Sequence, residues 1–369
     1  ACGRVCIAYC EDHCRRGQTD EPVAIRLLKR AAADHRSGTW RPELEPKRHR
    51  KVAVIGAGPA GLTAADDLVR KGYDVTVFER EDVPGGMMRL GIPAYRLPHD
   101  VLQREIQEIL DLGVELCTGV TFGRDVTLED LQRDGYEAVF LAVGCPEGMK
   151  LDCPGAEAEG VVDAVQFLRD LALYREPKLG QRVAVIGGGD TAIDSARSAL
   201  RLGADEVHLV YRRTLDEMPA HPKEIEEAAH EGIQFHFLAA PKEVLVEDGR
   251  VAGLVCQRMT LGDFDRSGRR RPVPVEGAEF TLDVETVIPA IGQQIETTYL
   301  DVEVEKGKVR VDRRTLSTSL PHVFAGGDCT AGPMTVVDAI ADGHRAAQAI
   351  HSYLSGEPMP RPKKRAKTR

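Results

Sequence analysis

Gly56, Gly58 and Gly61 stand in the spacing GxGxxG, and Glu79 closes the next apolar run. Residue types so spaced suit a nucleotide diphosphate. Gly56 permits a tight turn, Gly58 has no Cβ to keep a pyrophosphate from the backbone amides, and Gly61 lets a helix pack closely on a sheet. Glu79 is placed to accept hydrogen bonds from ribose hydroxyls. The pattern returns as GxGxxA at Gly187, Gly189 and Ala192, but with a different ending. Aligning Val75 with Val207 sets Tyr211 where Glu79 stood, followed by Arg212 and Arg213. No carboxylate remains there to repel a 2′-phosphate, and two guanidiniums are available to bind one. The first motif suits FAD and the second NADP(H).

A third group is Cys2, Cys6, Cys10 and Cys14, in the order CxxxCxxxCxxxC. Zinc sites usually pair their ligands as CxxC blocks separated by longer spans, so zinc fits poorly. Thiolates this dense suit an iron–sulfur cluster, with Arg4, Arg15 and Arg16 offsetting its charge. The alternative is a buried stripe of small side chains at helical spacing. The other five cysteines, Cys117, Cys145, Cys153, Cys256 and Cys329, are too scattered for CxxC or CxxxxC redox chemistry and read as ordinary buried thiols.

The elements that must position these groups are legible around them. In 51–80, an apolar run over 52–55, a helix over 59–69 and a second run over 75–78 make a βαβ unit. Residues 182–213 repeat it. A helix is expected over 99–110, a strand over 114–116, a charged surface helix over 223–231, and a hairpin turning at Asp248–Gly249. Buried strands over 138–144 and 287–292 each end in glycine, and Gly292 would lie near a nicotinamide. Pro22 is expected to open an amphipathic helix, with a linker over 38–50. The arginines at 269–271 read as an exposed loop, and His208, His221, His230 and His236 as structural or solvent-facing.

Further flavin contacts are expected in the segment PGGMMRLGIPAYRLP. Gly86 would admit backbone amides to the cofactor, Met87 would offer a polarizable face, and Arg96 would reach a phosphate or the ring edge. Val126 falls where a backbone would hold adenine. Gly327 and Asp328 end a strand, with the Asp328 carboxylate toward ribityl hydroxyls. Thr335 and Val336 begin a helix whose positive end would face the flavin pyrimidine.

Composition narrows the class. The chain has 369 residues, 42% hydrophobic, and no apolar run of membrane-spanning length or signal-peptide core. A net charge of −9 argues against a nucleic-acid surface. Neither a nucleic acid nor a membrane is expected as a partner, and a cytoplasmic location is. The odd count of nine cysteines argues against a disulfide framework. The basic tail, 357–369, is expected to be disordered.

Taken together, CGRVC, CEDHCRRG, GAGPAG, PGGMMRLGIPAYRLP, GGGDTAIDSAR, YRRTLDEMP and VFAGGDCTAGPMTVVDAIADGH resemble the glutamate synthase small-subunit family. That family includes the flavin and iron–sulfur portion of dihydropyrimidine dehydrogenase and subunits of NADPH–ferredoxin oxidoreductases. The resemblance implies an α/β chain with two Rossmann-like domains, the NADPH domain inserted in the FAD domain, behind a short helical iron–sulfur segment. The expected limits are 1–50 for that segment and linker, 51–150 with 293–356 for FAD, and 151–292 for NADPH. It adds Arg80 to the FAD residues, and Asp190 and Thr191 to those for NADPH. Relatives carry a further cysteine group upstream of Cys2, sharing ligands between two clusters. The implied activity passes a hydride from NADPH to FAD, then single electrons to a 4Fe–4S cluster and a partner subunit or ferredoxin-like protein. No catalytic side chain is required, because the redox chemistry belongs to the cofactors. A cluster-free flavoprotein reductase and a non-catalytic FAD-holding subunit are the alternatives.

Overall fold

The computed structural model describes residues 1–36, 41–265 and 268–359. The chain divides into two compact units: Ala1–Met88 with His99–Cys145 and the residues from Ile295 on, and Arg89–Pro98 with Pro146–Gln294. The second therefore holds the last ten residues of the PGGMMRLGIPAYRLP segment, outside the 151–292 expected of it.

In the first unit, β1 (Lys51–Ile55), α1 (Pro59–Arg70) and β2 (Asp74–Phe78) form the first βαβ unit. All of β1 after its first lysine is buried, as a strand covered on both faces requires. The extended Gly58 and the proline at the first turn start α1, which buries Ala60, Leu62, Ala64, Ala65, Leu68 and Val69. A parallel sheet of five strands runs Val323–Ala325, Tyr136–Leu141, β1, β2, Glu115–Cys117. Its core on one face gathers Ala53, Ile55, Leu131, Val139, Leu141 and Val323. The twenty-residue helix Val336–Ser355 lies along α1.

The amino-terminal stretch is a set of short pieces, Cys2–Val5, Tyr9–Asp12 and a 3₁₀ turn at Arg15–Gln18, before the helix Ile25–Asp34. That helix begins three residues after the expected Pro22, because Ile25 N–H first closes a turn on the Val23 carbonyl. It buries none of its residues, and Leu27 and Leu28 are exposed. Of the linker, residues 41–50 carry no helix or strand. The expected tail lies outside the described residues from 360 on.

The second unit repeats the plan with β3 (Arg182–Ile186), α2 (Asp190–Arg201) and β4 (Glu206–Tyr211). Its parallel sheet runs Thr286–Pro289, β3, β4, Gln234–Phe237. An antiparallel sheet of Ala239–Glu247, Arg250–Phe264 and Arg270–Leu282 is built beside it. Asp248 and Gly249, both at positive φ, make the expected hairpin turn. Arg270 and Arg271 open a strand and are not loop residues, since their backbone pairs with the long strand Arg250–Phe264.

Candidate nucleotide-binding sites

At the end of β1, Gly56 turns at φ +105°, where a Cβ would run into the Ala142 carbonyl. A Cβ on Gly61 would strike the Gly56 carbonyl oxygen, so α1 reaches its close approach only through that glycine. Gly85 N–H donates to the Ala57 carbonyl at 2.9 Å, and Gly86 (φ +52°) turns against Gly58. The glycines of the PGG segment thus lie on the first glycine loop. Met87 opens the short helix Met87–Leu90 and is partly buried.

Glu79 braces that loop. Its buried carboxylate accepts Ala57 N–H at 2.7 Å on Oε2 and Glu81 N–H at 3.0 Å on Oε1. Burial raises its pKa above the usual range, although those two N–H groups pull the other way. The neighbouring Arg80 lies 3.3 Å from the Glu81 carboxylate. Val126 is buried in the core and its carbonyl accepts Gly123 N–H at 2.8 Å.

Gly327, at φ +75°, and Asp328 follow the strand Val323–Ala325. Asp328 Oδ1 accepts Met334 N–H at 3.1 Å, and burial pushes this acid up to about 6. Thr335 caps the long helix: its Oγ1 accepts Asp338 N–H, and the Asp338 carboxylate accepts from the Thr335 hydroxyl at 2.6 Å. Val336 is the first helical residue. Asp342, one turn further in, escaped the sequence reading. Its buried carboxylate accepts Gly327 N–H at 2.9 Å and an Arg345 N–H at 2.5 Å. The available signal was an acid in register with the small residues Ala339, Gly343 and Ala346 on a buried helical stripe.

In the second unit, Gly187 turns at φ +147° and a Cβ there would lie 3.2 Å from the Ala192 Cβ. Tyr211 is buried under the loop: a Cβ on Gly188 would enter its ring, and its hydroxyl donates to the Glu217 carbonyl at 2.7 Å. Gly189 caps α2, Asp190 and Thr191 open it, and Ala192 is buried. The Asp190 carboxylate accepts His221 N–H at 3.1 Å. The two arginines part company. Arg212 is exposed. Arg213 is buried, donating to the Arg270 carbonyl at 2.8 Å and to Asp265 at 3.0 Å. Gly292, at φ +142°, sits beside the Met149 sulfur.

Arg96 also belongs to the second unit. It pairs with the buried Asp194 of α2 at 2.5 Å, with Glu224 3.6 Å away. Burial lifts Asp194 to about 6 against the pull of Arg96. The adjoining Tyr95 ring lies under the Arg201 guanidinium at 4.1 Å and Arg197 at 5.0 Å. These contacts are why the stretch joins the second unit.

Every cysteine is a free thiol. Burial pushes Cys145, Cys256 and Cys329 up to about 12, the behaviour of inert core thiols. Cys6 Sγ accepts Ala8 N–H at 3.4 Å, and backbone N–H groups of Val23, Arg16 and Gly17 draw the Cys14 thiol down. Among the described residues, no three of the His, Cys, Asp and Glu side chains stand together as ligands for a metal ion. Among them too, no helix is long and apolar enough to cross a membrane.

Comparison with known proteins gives these arrangements a setting. The family model of pyridine nucleotide-disulphide oxidoreductases matches residues 50–343. Over 95% of its length the chain is 49% identical to the NADP(+)-dependent formate dehydrogenase subunit beta of Moorella thermoacetica, spanning only 54% of that protein. It is 37% identical to the NADPH glutamate synthase small chain of Halomonas elongata, covering 96% of this chain and 79% of that one. The solved structure of Mycobacterium tuberculosis FprA in complex with NADPH matches it with a TM-score of 0.74 at 20% identity, over 84% of this chain and 85% of that one. That likeness speaks for the fold.

Proposed function

Because this chain belongs to the pyridine nucleotide-disulphide oxidoreductase family, and within it to the group of the glutamate synthase small chains, we propose that it is an electron-transfer subunit. It takes reducing equivalents from NADPH at the second glycine motif and passes them through FAD at the first. From there they go to 4Fe–4S clusters and a partner subunit or ferredoxin-like protein in the cytoplasm. The observation that carries the reading is the difference between two near-copies of one cleft. A buried carboxylate, Glu79, directly follows β2, whereas at the aligned point β4 ends on Tyr211, with an exposed Arg212 after it.

The protein's part is positioning and charge. Gly58, Gly61 and Gly86 would leave room for the FAD pyrophosphate, Glu79 and Asp328 would receive ribose and ribityl hydroxyls, and Arg212 would meet the NADPH 2′-phosphate. Bound FAD supplies the conversion between two-electron and one-electron chemistry. Thr335 and Val336 present the amino end of the long helix, which favours negative charge beside it. The cysteines fit a cluster by donor type: four soft ligands, two of them accepting N–H···S bonds of the kind that tunes such centres. The names of the relatives, one a formate dehydrogenase subunit and one a glutamate synthase chain, support a partner subunit. A cluster-free flavoprotein reductase is the second reading, favoured by the absence of a gathered metal site among the described residues.

Anaerobic mixing with each nicotinamide tests the proposal. NADPH should bleach the flavin absorbance much faster than NADH, and iron with acid-labile sulfide should co-purify. Protein that takes up no FAD, or flavin that neither nucleotide bleaches, would end the reading. Bleaching without iron would leave the cluster-free form.

A further inference from the structure

The two glycine loops are closed in the same way, and the match identifies a cofactor contact that the motifs do not contain. In the first unit, the loop after β2 folds back so that Gly85 N–H donates to the carbonyl of Ala57, the middle residue of the GxG turn, at 2.9 Å. In the second, the loop after β4 folds back so that Ala220 N–H donates to the carbonyl of Gly188, again the middle residue, at 3.2 Å. The third residue of each turn is a glycine that lies against the returning loop, though at different points of it: Gly86 in the first unit and Pro219, the counterpart of Pro84, in the second. A Cβ on Gly58 would lie 3.9 Å from Gly86, and one on Gly189 would lie 4.0 Å from Pro219. The hydrogen bonds align Pro84–Gly85–Gly86 with Pro219–Ala220–His221. Where the first loop presents bare backbone, the second presents an imidazole.

His221 is held for that task at several points. Its N–H donates to the Asp190 carboxylate at 3.1 Å, which occupies the one acid at the start of α2. Its Nδ1 accepts Lys223 N–H at 3.3 Å as the cap of the helix Pro222–His230. A ring whose Nδ1 accepts must carry its proton on Nε2 when neutral, so the tautomer is fixed with Nε2–H as donor. The loop itself is pinned by Tyr211, whose hydroxyl reaches the Glu217 carbonyl at 2.7 Å, and by the cap in which Thr214 donates to Glu217 at 2.6 Å.

We infer that Pro219–Ala220–His221 is the second cleft's counterpart of the PGG segment, and that His221 donates from Nε2 to the pyrophosphate of the bound nicotinamide nucleotide. This rests on the proposed NADPH reading of the second unit and adds to it His221, expected from the sequence to be structural or solvent-facing. It also separates two kinds of recognition. Arg212 would read the 2′-phosphate and discriminate NADPH from NADH, whereas His221 would read the diphosphate that both share.

The test is nucleotide affinity measured by titration on FAD-loaded protein with NADP(+) and NAD(+). His221→Ser retains an oxygen to cap the helix and removes the ring. It should weaken both nucleotides by about the same factor, on the order of tenfold for one hydrogen bond to a charged group. FAD content and melting temperature should stay at the wild-type value. Unchanged affinity for both nucleotides, or a loss confined to NADP(+), would overturn the assignment. A lowered melting temperature would point to the cap; His221→Asn, which also caps and restores a donor, must then recover affinity, or the inference fails. If wild-type protein binds neither nucleotide, the reading of the second unit fails first, which is a distinct outcome.

Discussion

At the scale of single residues, one strand tip separates the two clefts, and the two arginines beside it differ in burial and partners. Arg213 is committed to the hairpin through Asp265 and the Arg270 carbonyl, and the exposed Arg212 is the one proposed above to meet the 2′-phosphate. A charge-assisted bond of this kind contributes about 1.5–3 kcal/mol. Arg212→Ala should therefore weaken NADP(H) by about ten- to a hundredfold and leave NAD(H) nearly unchanged, as titration of both would show. Equal losses would contradict the phosphate assignment. Asp328 makes a second residue-scale prediction. Its folded pKa, about 6, stands above the ordinary carboxylate value because of burial, so the protonated form favours the fold. The cofactor-free protein should lose stability from this group as the pH rises from about 4 to about 6, with no further loss above. Urea midpoints of wild type and Asp328→Asn, compared across that window, should diverge in favour of the variant. Parallel curves would show that the carboxylate is not desolvated.

The elements were legible in proportion to how locally they are specified. β1, α1 and β2 appear within one residue of their expected limits, because apolar run length, a proline at the first turn and the glycines are all local signals. The helix His99–Leu110 and the turn at Asp248–Gly249 followed from the same kind of signal. What could not be read depends on a distant partner. The strand at Arg270 exists because Arg250–Phe264 is long enough to pair with it. Arg96 belongs to the second unit because Asp194 waits there, almost a hundred residues away. Asp342 showed in the sequence only as an acid on a buried helical stripe; its contact with the Gly327 N–H, a backbone group with no sequence identity, could not be read there. The packing of the long helix on α1 belongs here too. A Cβ on Gly343 would collide with the Ala60 carbonyl and come within 2.7 Å of the Thr63 Cβ. Gly343→Ala gains helix propensity but overpacks this contact, which costs about 1–3 kcal/mol. The net effect should be a lower melting temperature and weaker FAD retention, because Ala60 sits in the first turn of the nucleotide helix. A rise in melting temperature would mean the two helices part easily.

For the molecule as a whole, the weak point is the cysteine segment. Only Val5 and Ala8 of residues 1–36 are buried. The segment is tied to the helix His99–Leu110 by an ion pair between Arg36 and Glu108, both more than 40% exposed. Exposed pairs contribute about 0–1 kcal/mol each and are screened as the Debye length falls from about 10 Å at 0.1 M salt to about 3 Å at 1 M. The glycine loops, in contrast, follow β1 and β3, each of which is buried at every residue but its first. Regions with few buried contacts open first. Raising the salt to about 1 M should speed amide hydrogen exchange across residues 1–36 and leave β1 and β3 at their low-salt rates. The functional counterpart follows from the proposed division of work. At high salt NADPH should still bleach the flavin, because neither cleft depends on the segment's ion pairs, while transfer to a one-electron acceptor should slow. Loss of both activities together would show that the segment shares its stability with the nucleotide-binding units and is not an independently opening piece.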